Sequence, residues 1–191
     1  MTEIYQDFIK YLGYNVLESL FPASCEVYKV EREGMVFIAK VGDQWRWDDN
    51  TAYKHVVREH EVLERAKEME GIPQTHFFRV YQGRQELALL VKEYIGGKTL
   101  KERQNSFSET QKDDLLSQIR IFHNQGMADL DIHSSGCNVL ITPEGKPRLF
   151  DLGSVRFESE VAREEFADLK ARDLRGAEFL YNSFNKTDPE Y

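Results

Sequence analysis

The stretch Met127–Val155, "MADLDIHSSGCNVLITPEGKPRLFDLGSV", decides how the rest of the chain is read. Its apolar runs NVLI and RLF flank a PEGKP turn, which is the pattern of a β-hairpin. Two plain strands would need almost none of the Asp129, Asp131, Asn138 and Asp151 that crowd around them. Polar side chains gathered at the ends of strands are where mixed folds keep their chemistry. Asn138 and Asp151 at one end of such a hairpin put an amide beside a carboxylate, the oxygen donors that a hard divalent cation asks for.

Outward from this segment the pattern is helical on both sides. Upstream, Ser108 to Gln111 reads S-E-T-Q, a capping box that opens a helix with Leu115, Ile119 and Phe122 on its apolar face and an end near Gly126. Downstream, Glu158 to Phe184 carries Leu174, Ala177, Tyr181 and Phe184 at three-to-four spacing, with a break expected at Gly176. Before the capping box, Gly96-Gly97 reads as a linker.

The first half alternates differently. Ile4, Phe8 and Leu12 predict a short amphipathic helix before Gly13. "CEVYKVEREGMVFIAKV", Cys25 to Val41, predicts an antiparallel hairpin turning at Gly34 and ending near Lys40. A helix follows, with caps at Asn50 or Thr51 and a stripe of Val56, Leu63 and Ala66 on which Glu59 falls. Ile72-Pro73 breaks it, and "HFFRVYQG" and "LALLVKEYI" predict a second strand pair. A carboxylate on an apolar stripe is costly unless paired, and a lysine among apolar strand residues is too; pairing Lys40 with Glu59 explains both.

Composition narrows the function classes. The chain has 191 residues, with 25 Lys plus Arg against 33 Asp plus Glu and a net charge of −8. That balance disfavours DNA, other polyanions and anionic membrane as partners. Two cysteines, Cys25 and Cys137, form neither a CxxC pair nor a disulfide framework. MTEIYQDF lacks the basic and apolar regions of a secretion signal, and no apolar run approaches a bilayer span, so no transmembrane segment and a cytoplasmic location are expected. His133 has no second histidine nearby to suggest zinc, and Trp45 and Trp47 read as packing beside a strand end.

Taken in order, these pieces resemble the protein-kinase fold. "FIAKV" is similar to the strand that carries the kinase lysine, here Lys40, and Glu59 in an ExxxL frame nineteen residues on resembles its helix partner. "VKEYIGGKTL" resembles the hinge, which implies that the main chain at Glu93 and Ile95 bonds an adenine edge and that Lys92 takes the gatekeeper position. "FHNQGMADLDIHSSGCNVLI" resembles LHxxGIxHxDLHxxNIL with two residues inserted, implying Asp131 as catalytic base and Asn138 as metal ligand, with Asp129 in the slot of a histidine. A second register, with the insertion after Asp129, makes Asp129 the base. "RLFDLGSV" resembles the DFG segment, implying Asp151 as the main magnesium ligand, and Asp173 in "RDLRGAEF" resembles the aspartate that props the catalytic loop.

The resemblance implies an α+β, two-lobed fold. Residues 1–95 would form a small antiparallel-sheet N-lobe with the N-terminal helix, nucleotide-binding sheet and hinge. Residues 96–191 would form a truncated, mostly helical C-lobe, since only 38 residues follow Gly153. Among kinase-like families the nearest are the RIO kinases, the archaeal KEOPS-complex kinase and the lipopolysaccharide (Kdo/WaaP-type) kinases. The implied activity is ATP- and magnesium-dependent transfer of the γ-phosphate to a hydroxyl, with protein Ser/Thr favoured and a sugar or lipopolysaccharide hydroxyl as the alternative. Two features depart from the family. The stretch "FPASCEVYKV" has no glycine where a phosphate loop is expected, and a gatekeeper lysine needs its own partner. They make a pseudokinase binding module the runner-up.

Overall fold

The computed structural model describes residues 2–20, 25–44, 51–82, 86–103, 107–132 and 136–185. It is an α+β protein whose chain divides into two compact units, Met1–Tyr94 and Ile95–Tyr191.

The first unit is a five-stranded antiparallel sheet between two helices. β1 (Asn15–Leu20), β2 (Glu26–Arg32), β3 (Met35–Asp43), β4 (Thr75–Tyr81) and β5 (Leu87–Glu93) lie in the order β1-β2-β3-β5-β4. α1 (Thr2–Tyr11) packs Tyr5 and Ile9 into a cluster with Tyr28, Val30, Phe37, Ala39, Val41, Leu89 and Val91, the alternate residues of three strands. Each large side chain fully withdrawn from water there contributes about 1.5–3 kcal/mol. The intervening residues of β3 and β5 face α2 (Thr51–Arg65), whose buried stripe is Ala52, Val56, Glu59, Val62 and Leu63.

The second unit is built on two long helices. α4 (Glu109–Asn124) starts at the expected capping box: Ser108 accepts from the Gln111 N–H, and Gln111 accepts from the Ser108 N–H. β6 (Lys98–Thr99), β8 (Val139–Ile141) and β9 (Pro147–Leu149) form one small sheet, with α3 (Leu100–Arg103) directly after β6. Side chains of α4 tie it to this sheet, Gln111 donating to the Gly145 carbonyl and Gln118 to that of Pro147. β7 (Met127–Ala128) pairs with β10 (Arg156–Phe157), and α5 (Arg163–Asn185) closes the unit.

Several expectations need correction. β1 was not expected; its sequence NVLESL is largely exposed on both faces, so the apolar alternation that marks a strand is missing. α5 runs unbroken through Gly176, and Glu158–Glu160 is a separate 3-10 turn before it. Of the insertion expected to bulge outward at Ser134–Gly136, Gly136 is buried, against Leu100 and Phe184, and the other two residues fall outside the described residues. The glycine-free stretch 21–24, Trp45, Trp47, the cap at Asn50, His133 and Ser134 fall outside the described residues.

Candidate functional site

In the first unit the chemistry gathers on the α2 face of the sheet. Register places Lys40 opposite Leu90 and Lys92 opposite Ile38, so the two lysines are diagonal neighbours on one face of β3 and β5. Glu59 reaches them from the stripe of α2. Its Oε2 lies 2.6 Å from Lys40 Nζ, and its Oε1 binds Lys92 Nζ. The side chains are 7 %, 1 % and 3 % exposed for Lys40, Glu59 and Lys92. Removing one partner from a buried ion pair costs about 3–5 kcal/mol, because the remaining charge stays out of water. Sequence reasoning paired Lys40 with Glu59 but did not name the partner of Lys92. The signal was there: a lysine in the strand "LALLVKE", on the face it shares with Ala88 and Leu90.

A glycine sets how closely α2 approaches. A Cβ on Gly42 would lie 2.2 Å from the backbone oxygen of Ala52, so only glycine lets the first turn of α2 rest on β3. That contact is what carries Glu59 to Lys40.

The expected hinge residues fall at the end of the first unit and the start of the second. The Glu93 N–H donates to the Gln74 carbonyl, and the Glu93 carboxylate accepts from the Gln74 N–H. The Glu93 N–H is thus already engaged with Gln74. Ile95 is half-buried and begins the second unit.

In the second unit the loop after β7 holds Asp129 and Asp131 in left-handed backbone, φ 67° and 52°. Such a conformation in a residue other than glycine costs of order 1–3 kcal/mol and persists only when its surroundings enforce it. Here Asp173 of α5 enforces it. Its carboxylate, 2 % exposed, accepts the N–H groups of Asp129 (3.0 Å) and Leu130 (2.9 Å) and bonds His123 Nε2 (3.0 Å). Gly176, one turn along α5, supports the same loop: a Cβ there would lie 2.2 Å from the Ile132 oxygen. The expected prop is thus in place, and His123 of α4 joins it without having been singled out in the sequence.

The two aspartates are held differently. Asp129 is half-buried and bonded to Arg172 Nη2 at 2.5 Å, while its backbone carbonyl accepts from Ser154 Oγ. Burial pushes its carboxyl above the ordinary 3.8, opposed by the Arg172 guanidinium and aided by the neighbouring Asp173. Asp131 is exposed, and Asn138 Nδ2 donates to its Oδ2 (2.7 Å) and to its carbonyl (3.1 Å). An exposed, oriented carboxylate can take a proton from an incoming group; one clamped to an arginine is occupied.

Asn138 and Asp151 sit at the same end of the β8–β9 pair, since Val139 faces Leu149. Because Asn138 turns its nitrogen to Asp131, its Oδ1 is the atom that would face a cation. Among the described residues no three His, Cys, Asp or Glu side chains group into a cage for a metal ion. A cation held by Asn138 and Asp151 would complete its shell with water and phosphate oxygens, which is how magnesium usually binds. No protein-family model matches this sequence, and a search of curated proteins finds no match.

Proposed function

We propose that the chain is an ATP- and magnesium-dependent phosphotransferase of the atypical kinase type, with the first unit as nucleotide-binding lobe and the second as a minimal catalytic lobe. The observation that carries this reading is the buried pair of Lys40 and Glu59. A buried ammonium held by a carboxylate is fixed in position and charge, which is what orienting the α- and β-phosphates requires. Asp131, oriented by Asn138, accepts the proton of the attacking hydroxyl. Asn138 and Asp151 would hold magnesium, which neutralises charge on the phosphate oxygens. The main chain of Glu93 and Ile95 would meet the adenine edge. Protein Ser/Thr is the favoured acceptor, and a sugar or lipopolysaccharide hydroxyl is next.

The test is transfer of label from γ-labelled ATP, with magnesium, to the protein itself, to a panel of proteins and to sugar acceptors. Magnesium-dependent transfer is expected, and both Asp131→Ala and Asp151→Ala should abolish it. Transfer that survives both substitutions overturns the assignment.

A second reading, a binding module without turnover, is favoured by one observation: Lys92 engages the same carboxylate that Lys40 uses. It predicts a magnesium-dependent rise in melting temperature with ATP but no label transfer or hydrolysis.

A further inference from the structure

A lysine at position 92 is an unusual filling for this place in a sheet. Its neighbours on β5, Leu89, Leu90 and Val91, are fully buried apolar residues, and Lys92 itself is almost fully withdrawn from water. Methionine would fill similar volume without the several kcal/mol it costs to desolvate an ammonium. What the ammonium does in return is visible in its contact. Each oxygen of Glu59 takes one lysine, Oε2 from β3 and Oε1 from β5. A carboxylate held at one oxygen swings about its Cγ–Cδ bond, whereas one held at both has a single orientation.

We propose that Lys92 is a positioning residue: by binding Glu59 Oε1 it latches α2 to β5 and presents Oε2 to Lys40 before any nucleotide arrives. α2 is then fastened at two places on this face, by the close contact of Ala52 on Gly42 at its start and by Glu59 two turns later. The latch is made within the first unit, from side chains of α2, β3 and β5. In its effect on nucleotide affinity the inference rests on the phosphotransferase reading above; the latch itself is tested without it.

Lys92→Met is the test, read in the full chain in two ways. The first is amide hydrogen exchange without nucleotide. Amides of α2 around Glu59 should exchange at least tenfold faster in the variant, while those of α1, packed on the opposite face of the same sheet, should stay as they were. Unchanged exchange in α2, or an equal rise in α1 and α2, overturns the proposal, because then Lys92 either fastens nothing or merely supports the sheet. The second reading is the split between KM and kcat. If the latched state falls to between a tenth and a third of molecules, the KM for ATP rises about three- to tenfold, while saturating ATP restores the state and leaves kcat within about twofold. A loss confined to kcat overturns the positioning role. Failure of the wild-type protein to bind ATP overturns the phosphotransferase reading and, with it, the link to affinity, whereas the exchange result still decides the latch.

Discussion

Gly176→Ala separates a glycine kept for contact from one that merely interrupts a helix. Position 176 lies inside α5, where alanine is favoured over glycine by about 1 kcal/mol. Propensity alone therefore predicts a more stable protein. The structure predicts the opposite, because the new Cβ would stand 2.2 Å from the Ile132 oxygen, and the gap must open by about 1 Å to reach ordinary contact. Overpacking of this kind costs typically 1–3 kcal/mol, and a backbone oxygen as the obstacle puts it near the upper end. Set against the gain in propensity, the net destabilisation is about 2 kcal/mol. For a chain of this length that lowers the melting temperature by about 4–8 °C. Calorimetry measures it, with Gly96→Ala as the control: apart from its chain neighbours, no atom of the described residues lies within 4 Å of its Cβ, so stability should stay within about 0.5 kcal/mol. Ile132 adjoins Asp131, so the same 1 Å displacement should also cut phosphoryl transfer, by up to a hundredfold. A melting temperature equal to or above wild type would refute the claim that α5 braces the loop through Gly176.

Asp131→Asn should fold with a normal melting temperature and lose at least a hundredfold in label transfer, whereas Asp129→Asn, which removes the charge paired with Arg172, should retain turnover and melt earlier. The reverse pattern, read by the same two assays, would make Asp129 the base. Glu59→Gln removes the carboxylate that Lys40 and Lys92 share, and should destabilise the first unit by about 3–5 kcal/mol in urea unfolding. His60 is stacked on Phe78 at 3.8 Å with its Nδ1 buried and without a hydrogen-bond partner among the described residues, and burial pulls its pKa below 6.5. A lowered folded-state value means that its contribution is fully present above pH 6.5 and is lost as pH falls through the folded value. His60→Phe should accordingly flatten stability against pH below 6.5, and an unchanged acid limb in a denaturant series would count against it.

Much of the fold was legible because local rules and tertiary packing agreed. α1, the β2–β3 hairpin, α2, the β4–β5 pair and the capped α4 each carried a period, a cap or a turn residue that the structure uses. The expectation of Lys40 with Glu59 worked for a related reason: a charge on an apolar stripe is so costly that it announces a partner. β1 escaped because an exposed edge strand shows no alternation. The expected break at Gly176 came from weighing helix propensity alone.

By itself the sequence determined which elements form and which charges must be compensated, since periodicity and desolvation act on residue type and spacing. Only the tertiary structure decided which groups meet across long separations. It gave Glu59 a second lysine 33 residues away and brought Asp173 to a loop 43 and 44 residues earlier in the chain. It also assigned Gly42 and Gly176 to backbone contacts rather than to turns. The physical reason is that a glycine or a charge states a need in the sequence, whereas the atom that meets the need is chosen by the close packing of elements distant along the chain.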